Sequence, residues 1–135
     1  MSRENVERYL RGIDAWNRGV LDEWLQETVT PGWEVVTGGA FPGLAATYRG
    51  REGAIEMWEA LRAPWDAQDL HIEVERIEDL GDTALALLMM RASGDSSGVP
   101  VAIHWAHVIT LTGGDQRMRS YANWDDALKA VGLEE

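Results

Sequence analysis

His107 is the residue of this chain best suited to chemistry. It lies within Ile103-His104-Trp105-Ala106-His107-Val108-Ile109-Thr110-Leu111, whose alternation predicts a strand with two unlike faces. Ile103, Trp105, His107, Ile109 and Leu111 share one face, so an imidazole that changes charge near neutral pH stands in a row of large apolar groups. Such an imidazole can act as a general base or as a hydrogen-bond donor to an enolate, with Ser120 on the last strand as its nearest candidate partner. The plainer reading is a satisfied core histidine. His104 has the opposite parity and is expected on the outer side of the sheet, while His71 falls on a half-exposed strand. Parity scatters the three histidines, and no His-Glu or cysteine spacing supports a zinc or iron site, so no metal and no cofactor are expected.

The elements that must position these groups begin with helices. Val6, Tyr9, Leu10, Ile13 and Trp16 recur at three- and four-residue spacing, which makes one apolar stripe on an opening helix that stops at Asn17-Arg18-Gly19. Leu21, Trp24 and Leu25 start a second short helix that ends before Pro31. Trp33 to Thr37 reads as a short strand, and Gly38 to Gly43 as a glycine-rich loop of the kind that serves as a lid. Arg51 to Ala63 carries Ala54, Met57, Trp58 and Leu61 on one helical face, with Pro64 as its stop and Trp65 just beyond. From Leu70 the period changes to two. Leu70 to Glu75 is a half-exposed strand, Thr83 to Ser93 is apolar on both faces, turns at 94–98 and 112–115 bracket the His107 strand, and Gln116 to Asn123 is the last strand. Trp124 to Gly132 closes as a short helix. Helices first and an antiparallel meander after them predict a single α+β domain over residues 1–135.

Composition sets outer limits. The chain has 135 residues and no cysteine, enough to bury a core without disulfides or a structural zinc. No apolar run approaches membrane-spanning length, and the first residues lack the apolar core of a signal peptide, so a cytoplasmic protein with no membrane partner is expected. A formal charge of -11 without a basic stripe argues against nucleic acid. Seven tryptophans against one phenylalanine are unusual, since indoles bring large apolar area and a donor that needs a partner, and some are expected to line a cavity.

Four markers in order carry a resemblance: Ala15-Trp16-Asn17-Arg18-Gly19, Tyr48-Arg49-Gly50-Arg51-Glu52-Gly53, Ala106-His107-Val108-Ile109-Thr110-Leu111, and Tyr121-Ala122-Asn123-Trp124 with Ala127-Leu128. With them the chain resembles, over nearly its whole length, the SnoaL-like branch of the nuclear-transport-factor-2-like superfamily. That resemblance implies a cone-shaped α+β fold, with N-terminal helices packed on a strongly curved, mostly antiparallel sheet around a central apolar pocket. Val20 departs from it where many relatives place a capping aspartate, which leaves Asp22 or water to satisfy those amides.

The resemblance also implies a pocket that holds a hydrophobic small molecule. Strand parity nominates Leu88, Met90, Ile103, Trp105, His107, Ile109, Met118, Ser120 and Ala122 for the concave wall, and Trp33, Val35, Trp58, Leu61 and Trp65 for the wall facing it. Tyr48 and Arg49 fall at the pocket mouth. Epoxide hydrolases of this superfamily need an arginine between two aspartates, whereas the matching positions are Leu88, Met90 and Ser120, so that reaction is not expected. Ketosteroid isomerases use a first-helix tyrosine, whose position falls near Gly12, and a carboxylic acid near His107; the tyrosine reads as absent and imidazole replaces the acid. Two functions stay open. One is isomerase- or cyclase-type proton transfer on a hydrophobic carbonyl compound with His107 as acid or base, and the other is binding of a hydrophobic metabolite without chemistry. Leu87, Met89, Arg91, Arg117, Arg119 and Tyr121 make a partly apolar outer face, from which a homodimer packed through the sheets is expected.

Overall fold

The computed structural model describes residues 3–38, 41, 43–63, 70–93 and 100–133, without the side chains of residues 93 and 112. Trp65, loop residues 39, 40 and 42, and the turn at 94–98 therefore lie outside the described residues. Helix α1 (Arg3–Arg18) forms on the apolar stripe and buries Tyr9, Gly12, Ala15 and Trp16. It ends at Gly19, whose φ of 73° a side chain would strain. Helix α2 (Leu21–Thr28) starts after Val20 with no side-chain cap; Asp22 and Glu23 place negative charge in its first turn instead.

Strands β1 (Glu34–Val36) and β2 (Thr47–Arg49) precede helix α3 (Gly50–Arg62), and β3 (His71–Asp79), β4 (Thr83–Ser93), β5 (Pro100–Thr112) and β6 (Asp115–Tyr121) lead to helix α4 (Trp124–Ala130). The order across the sheet is β2-β1-β6-β5-β4-β3. Every pairing is antiparallel except β1 with β6. The fold is thus α+β with a mixed, curled, unclosed sheet. A shift of register between Val74 and Arg76 marks a bulge in β3, and a bulge bends its strand and increases the local twist.

Two elements differ from the sequence expectation. Tyr48 belongs to β2, in register with Val35, and is buried with its hydroxyl accepting from Ala45 N at 2.9 Å, so it is a core residue and not a mouth residue. A three-residue strand is too short to display a period. β3 runs four residues past Glu75 because the bulge resets its parity, which hides the alternation in a charged stretch where Arg76 pairs with Glu78.

The concave face and helices α1 to α3 enclose the main core, which contains Trp16, Trp24, Trp33, Trp58, Leu88 and Ile109. A smaller core lies on the other face, where Ala127 of α4 joins Leu85, Leu87 and Ala106, with Leu128 and Val131 packed against them. Asn123 caps α4 by accepting from Asp126 N at 2.8 Å. The Trp124 indole donates to the carbonyls of Leu88 and Trp105 at 3.0 and 3.1 Å, and pins the helix to the sheet. Much of the apolar outer face that points to a dimer therefore has a cover within the chain. His104 lies on this side, exposed and stacked on Trp124 at 4.6 Å between ring centroids.

Gly12 lets α1 and α2 approach closely, because a Cβ there would lie 2.3 Å from Thr28 Oγ1. Gly12→Ala gains about 1 kcal/mol of helix propensity but overpacks this contact at a cost of about 1–3 kcal/mol. A net loss of about 1 kcal/mol is expected in urea unfolding. An unchanged or raised midpoint would show that Thr28 turns aside freely.

Candidate functional site

Between the concave face and the three helices lies a cavity of about 320 Å³. The strand ladder builds one wall: His107 stands opposite Ser120 on β6 and Ala86 on β4, Ile103 opposite Met90, and Val35 opposite Met118. Of the residues nominated from the sequence, Val35, Leu61, Met90, Ile103, Trp105, His107, Met118 and Ser120 border the cavity. Trp33, Tyr48, Trp58, Leu88 and Ile109 do not and are buried in the main core, and Ala122, past the end of β6, is exposed and does not border it either. Trp58 is drawn into a layer behind the wall by Trp16 and Trp24, at centroid distances of 6.0 and 5.3 Å, and by the Arg62 guanidinium over its ring.

The helices supply wall residues beyond the reach of strand parity, above all Tyr9 and Trp16 of α1, Trp24 and Thr28 of α2 and Met57 of α3, while Gln116 of β6, which shares the parity of Met118 and Ser120, borders the cavity as well. The α1 stripe predicts burial but not what it is buried against. A tyrosine within such a stripe is the signal that was available, since its hydroxyl needs a partner when buried.

That partner is His107. Tyr9 Oη lies 3.1 Å from His107 Nδ1, and the Trp105 indole N–H donates to His107 Nε2 at 3.3 Å. An indole nitrogen can only donate, so Nε2 must carry the lone pair and the neutral ring must carry its proton on Nδ1. Nδ1–H then donates to Tyr9 Oη. The hydroxyl proton of Tyr9, a residue that also borders the cavity, is then not taken up by His107. Burial holds His107 down at about 4 and pushes the Tyr9 hydroxyl above the usual tyrosine range, so at neutral pH both groups are uncharged.

This arrangement corrects two expectations. The first helix does carry a tyrosine at the site, one turn before Gly12 and on the same face. The His107 lone pair is engaged by Trp105 and its N–H by Tyr9, so Ser120 is its neighbour in register and not its hydrogen-bond partner. Among the described residues no Asp, Glu, Lys or Arg borders the cavity, and no cluster of three or more His, Cys, Asp or Glu could hold a metal ion. Asp14 and Glu34 lie outside the cavity, Asp14 paired with Arg18 at 2.9 Å and Glu34 with Arg49 at 2.7 Å. Among the described residues no helix is long and apolar enough to cross a membrane.

A family model described as a SnoaL-like domain matches residues 6–119. Comparison with curated protein sequences finds no match. Among solved structures, a putative SnoaL-like polyketide cyclase from Jannaschia is similar with a TM-score of 0.70 at 24% identity, covering 100% of this chain and 98% of its own. TerC, crystallised with polyporic acid, superposes with a TM-score of 0.73 at 17% identity over 95% of this chain and 98% of its own. A hypothetical protein with a ketosteroid isomerase-like fold from Catenulispora acidiphila, in complex with trimethylamine, gives 0.70 at 16% identity over 94% and 93%. At these identities the structural likeness speaks for the fold alone.

Proposed function

The chain belongs to the SnoaL-like domain family, and on that footing we propose that its cavity binds a neutral, mainly apolar small molecule through a carbonyl oxygen. The Trp105–His107–Tyr9 relay carries this reading, because it leaves the hydroxyl proton of a cavity-lining tyrosine free to donate in a cavity walled mainly by indole, thioether and alkyl groups. A charged ligand would find no counter-ion there among the described residues, whereas a carbonyl oxygen would find a donor whose own oxygen is already held by Nδ1–H. That TerC was crystallised with polyporic acid agrees with small-molecule occupancy.

One observation favours a second reading, isomerase- or cyclase-type proton transfer on the bound carbonyl compound. Tyr9 O–H is placed to stabilise a developing enolate, and His107 behind it stabilises the charge that the phenol oxygen takes up. The base half of such a reaction has no carboxylate to serve it among the described cavity residues, and His107 is neutral with its lone pair engaged. Binding is therefore the primary reading.

Native mass spectrometry of the purified protein tests it, together with titration of chalcone, an apolar ketone. Tyr9→Phe should keep the fold and weaken chalcone binding about tenfold, the worth of one neutral hydrogen bond. Equal affinity would remove Tyr9 from the site. Deuterium wash-in next to the carbonyl of an enolisable bound ketone, lost in Tyr9→Phe, would instead establish turnover.

A further inference from the structure

One open polar group of the cavity takes no part in the relay. Ser120 is 8% exposed, lies on the concave face of β6 and borders the cavity. Its hydroxyl makes no hydrogen bond among the described residues. The unpaired side-chain atoms that have no accessible surface are Thr28 Oγ1, Trp33 Nε1 and Gln116 Oε1. Ser120 Oγ is unpaired and is not one of them, so it keeps accessible surface. Its chain neighbours Arg119 and Tyr121 stand on the outer face of the sheet, which leaves the cavity as the space that Ser120 meets.

The strand ladder sets the position of this hydroxyl. Ser120 is directly paired with His107, and paired residues on one face of antiparallel strands hold their Cβ atoms about 4.5–5.5 Å apart. On the other side of His107 the paired residue is Ala86, 0% exposed, which offers only a methyl group. Tyr9 reaches the same imidazole from α1, with Oη 3.1 Å from Nδ1. Two hydroxyls, one from a helix and one from the neighbouring strand, therefore flank a single ring. Beyond that ring the same faces of β6 and β5 continue with Met118 and Ile109, which are apolar.

A ligand that lays apolar surface on the Ser120 hydroxyl takes it out of water and leaves it unpaired. A ligand oxygen within reach restores the bond, and since a serine hydroxyl both donates and accepts, a ligand hydroxyl or a second carbonyl serves equally. A site with such a group rejects an analogue that lacks the matching oxygen far more strongly than an apolar wall can. Resting on the carbonyl-binding reading above, we propose that Ser120 is a specificity-determining ligand contact, and that the ligand bears a second oxygen one or two carbons from the carbonyl held by Tyr9. Oxygens so placed share one end of the scaffold and can meet two hydroxyls that flank one imidazole, while the rest of the ligand stays apolar.

The test titrates the full chain by calorimetry with dihydrochalcone and with its α-hydroxy and β-hydroxy derivatives, which share one skeleton and add a single hydroxyl. At least one derivative is expected to bind about tenfold more tightly than dihydrochalcone. Ser120→Ala should abolish that preference and bind dihydrochalcone at least as well as the wild type does. Equal changes in all three affinities would mark a residue that only fills space, and would overturn the contact. So would a wild-type protein indifferent to both hydroxyls, or a preference that survives Ser120→Ala; in each case a loss of dihydrochalcone affinity in Tyr9→Phe leaves the carbonyl reading standing. Failure of all three molecules to bind overturns both.

Discussion

Trp33→Ala is expected to cost about 3–5 kcal/mol of stability, a large share of the margin by which a domain of this size stays folded. Trp33 is 1% exposed, meets Trp24 edge to face at 6.0 Å, and sits where the chain passes from α2 into β1. Its backbone takes part too, since its carbonyl accepts from Gly50 N at 2.9 Å and so ties β1 to the start of α3. Truncation removes the indole and leaves a hole between a helix and the sheet edge that neither can close by a small shift. The indole N–H has no partner among the described residues, so Trp33→Phe discards an unpaired donor and should be tolerated far better. Urea unfolding of the two variants separates the readings. A mild effect of the alanine variant would return Trp33 to the cavity wall, where the sequence alone nominates it.

Protonation of His107 gives the second large effect. Its folded-state pKa lies at about 4, below the ordinary 6.5, because burial penalises the charged ring. Between these values the unfolded chain binds a proton that the folded chain refuses, so stability is full above pH 6.5 and is lost as pH falls toward 4. At about 1.4 kcal/mol per pH unit the loss reaches about 3 kcal/mol at pH 4. Many carboxylates titrate in the same range, so the measurement is the difference between wild type and His107→Gln across pH 4 to 7. The wild-type curve should fall more steeply by that amount. Parallel curves would mean that the imidazole takes up its proton in the folded state without penalty, and the neutral relay from Trp105 to Tyr9 would be abandoned.

Local periodicity was enough to read part of this fold. Two-residue alternation is a backbone property, so placing Ile103, Trp105 and His107 on one face, and Met118 and Ser120 on one face of β6, required no tertiary knowledge; all five border the cavity. The α1 and α3 stripes and the order of the markers were legible for the same reason, and with them the family and the α+β class. Which apolar residues line the cavity and which face each other depends on packing between elements far apart in the chain. Trp16 and Trp58 carry the same hydrophobic signal, yet one borders the cavity and the other packs behind it. The difference lies in the gap between a curved sheet and three helices, and no local pattern encodes a gap. The partnership of Tyr9 with His107 joins residues 98 positions apart, and only with the Trp105 donor beside it does it assign the tautomer of the ring. Periodicity reports that a side chain is buried; what it touches depends on how distant elements pack.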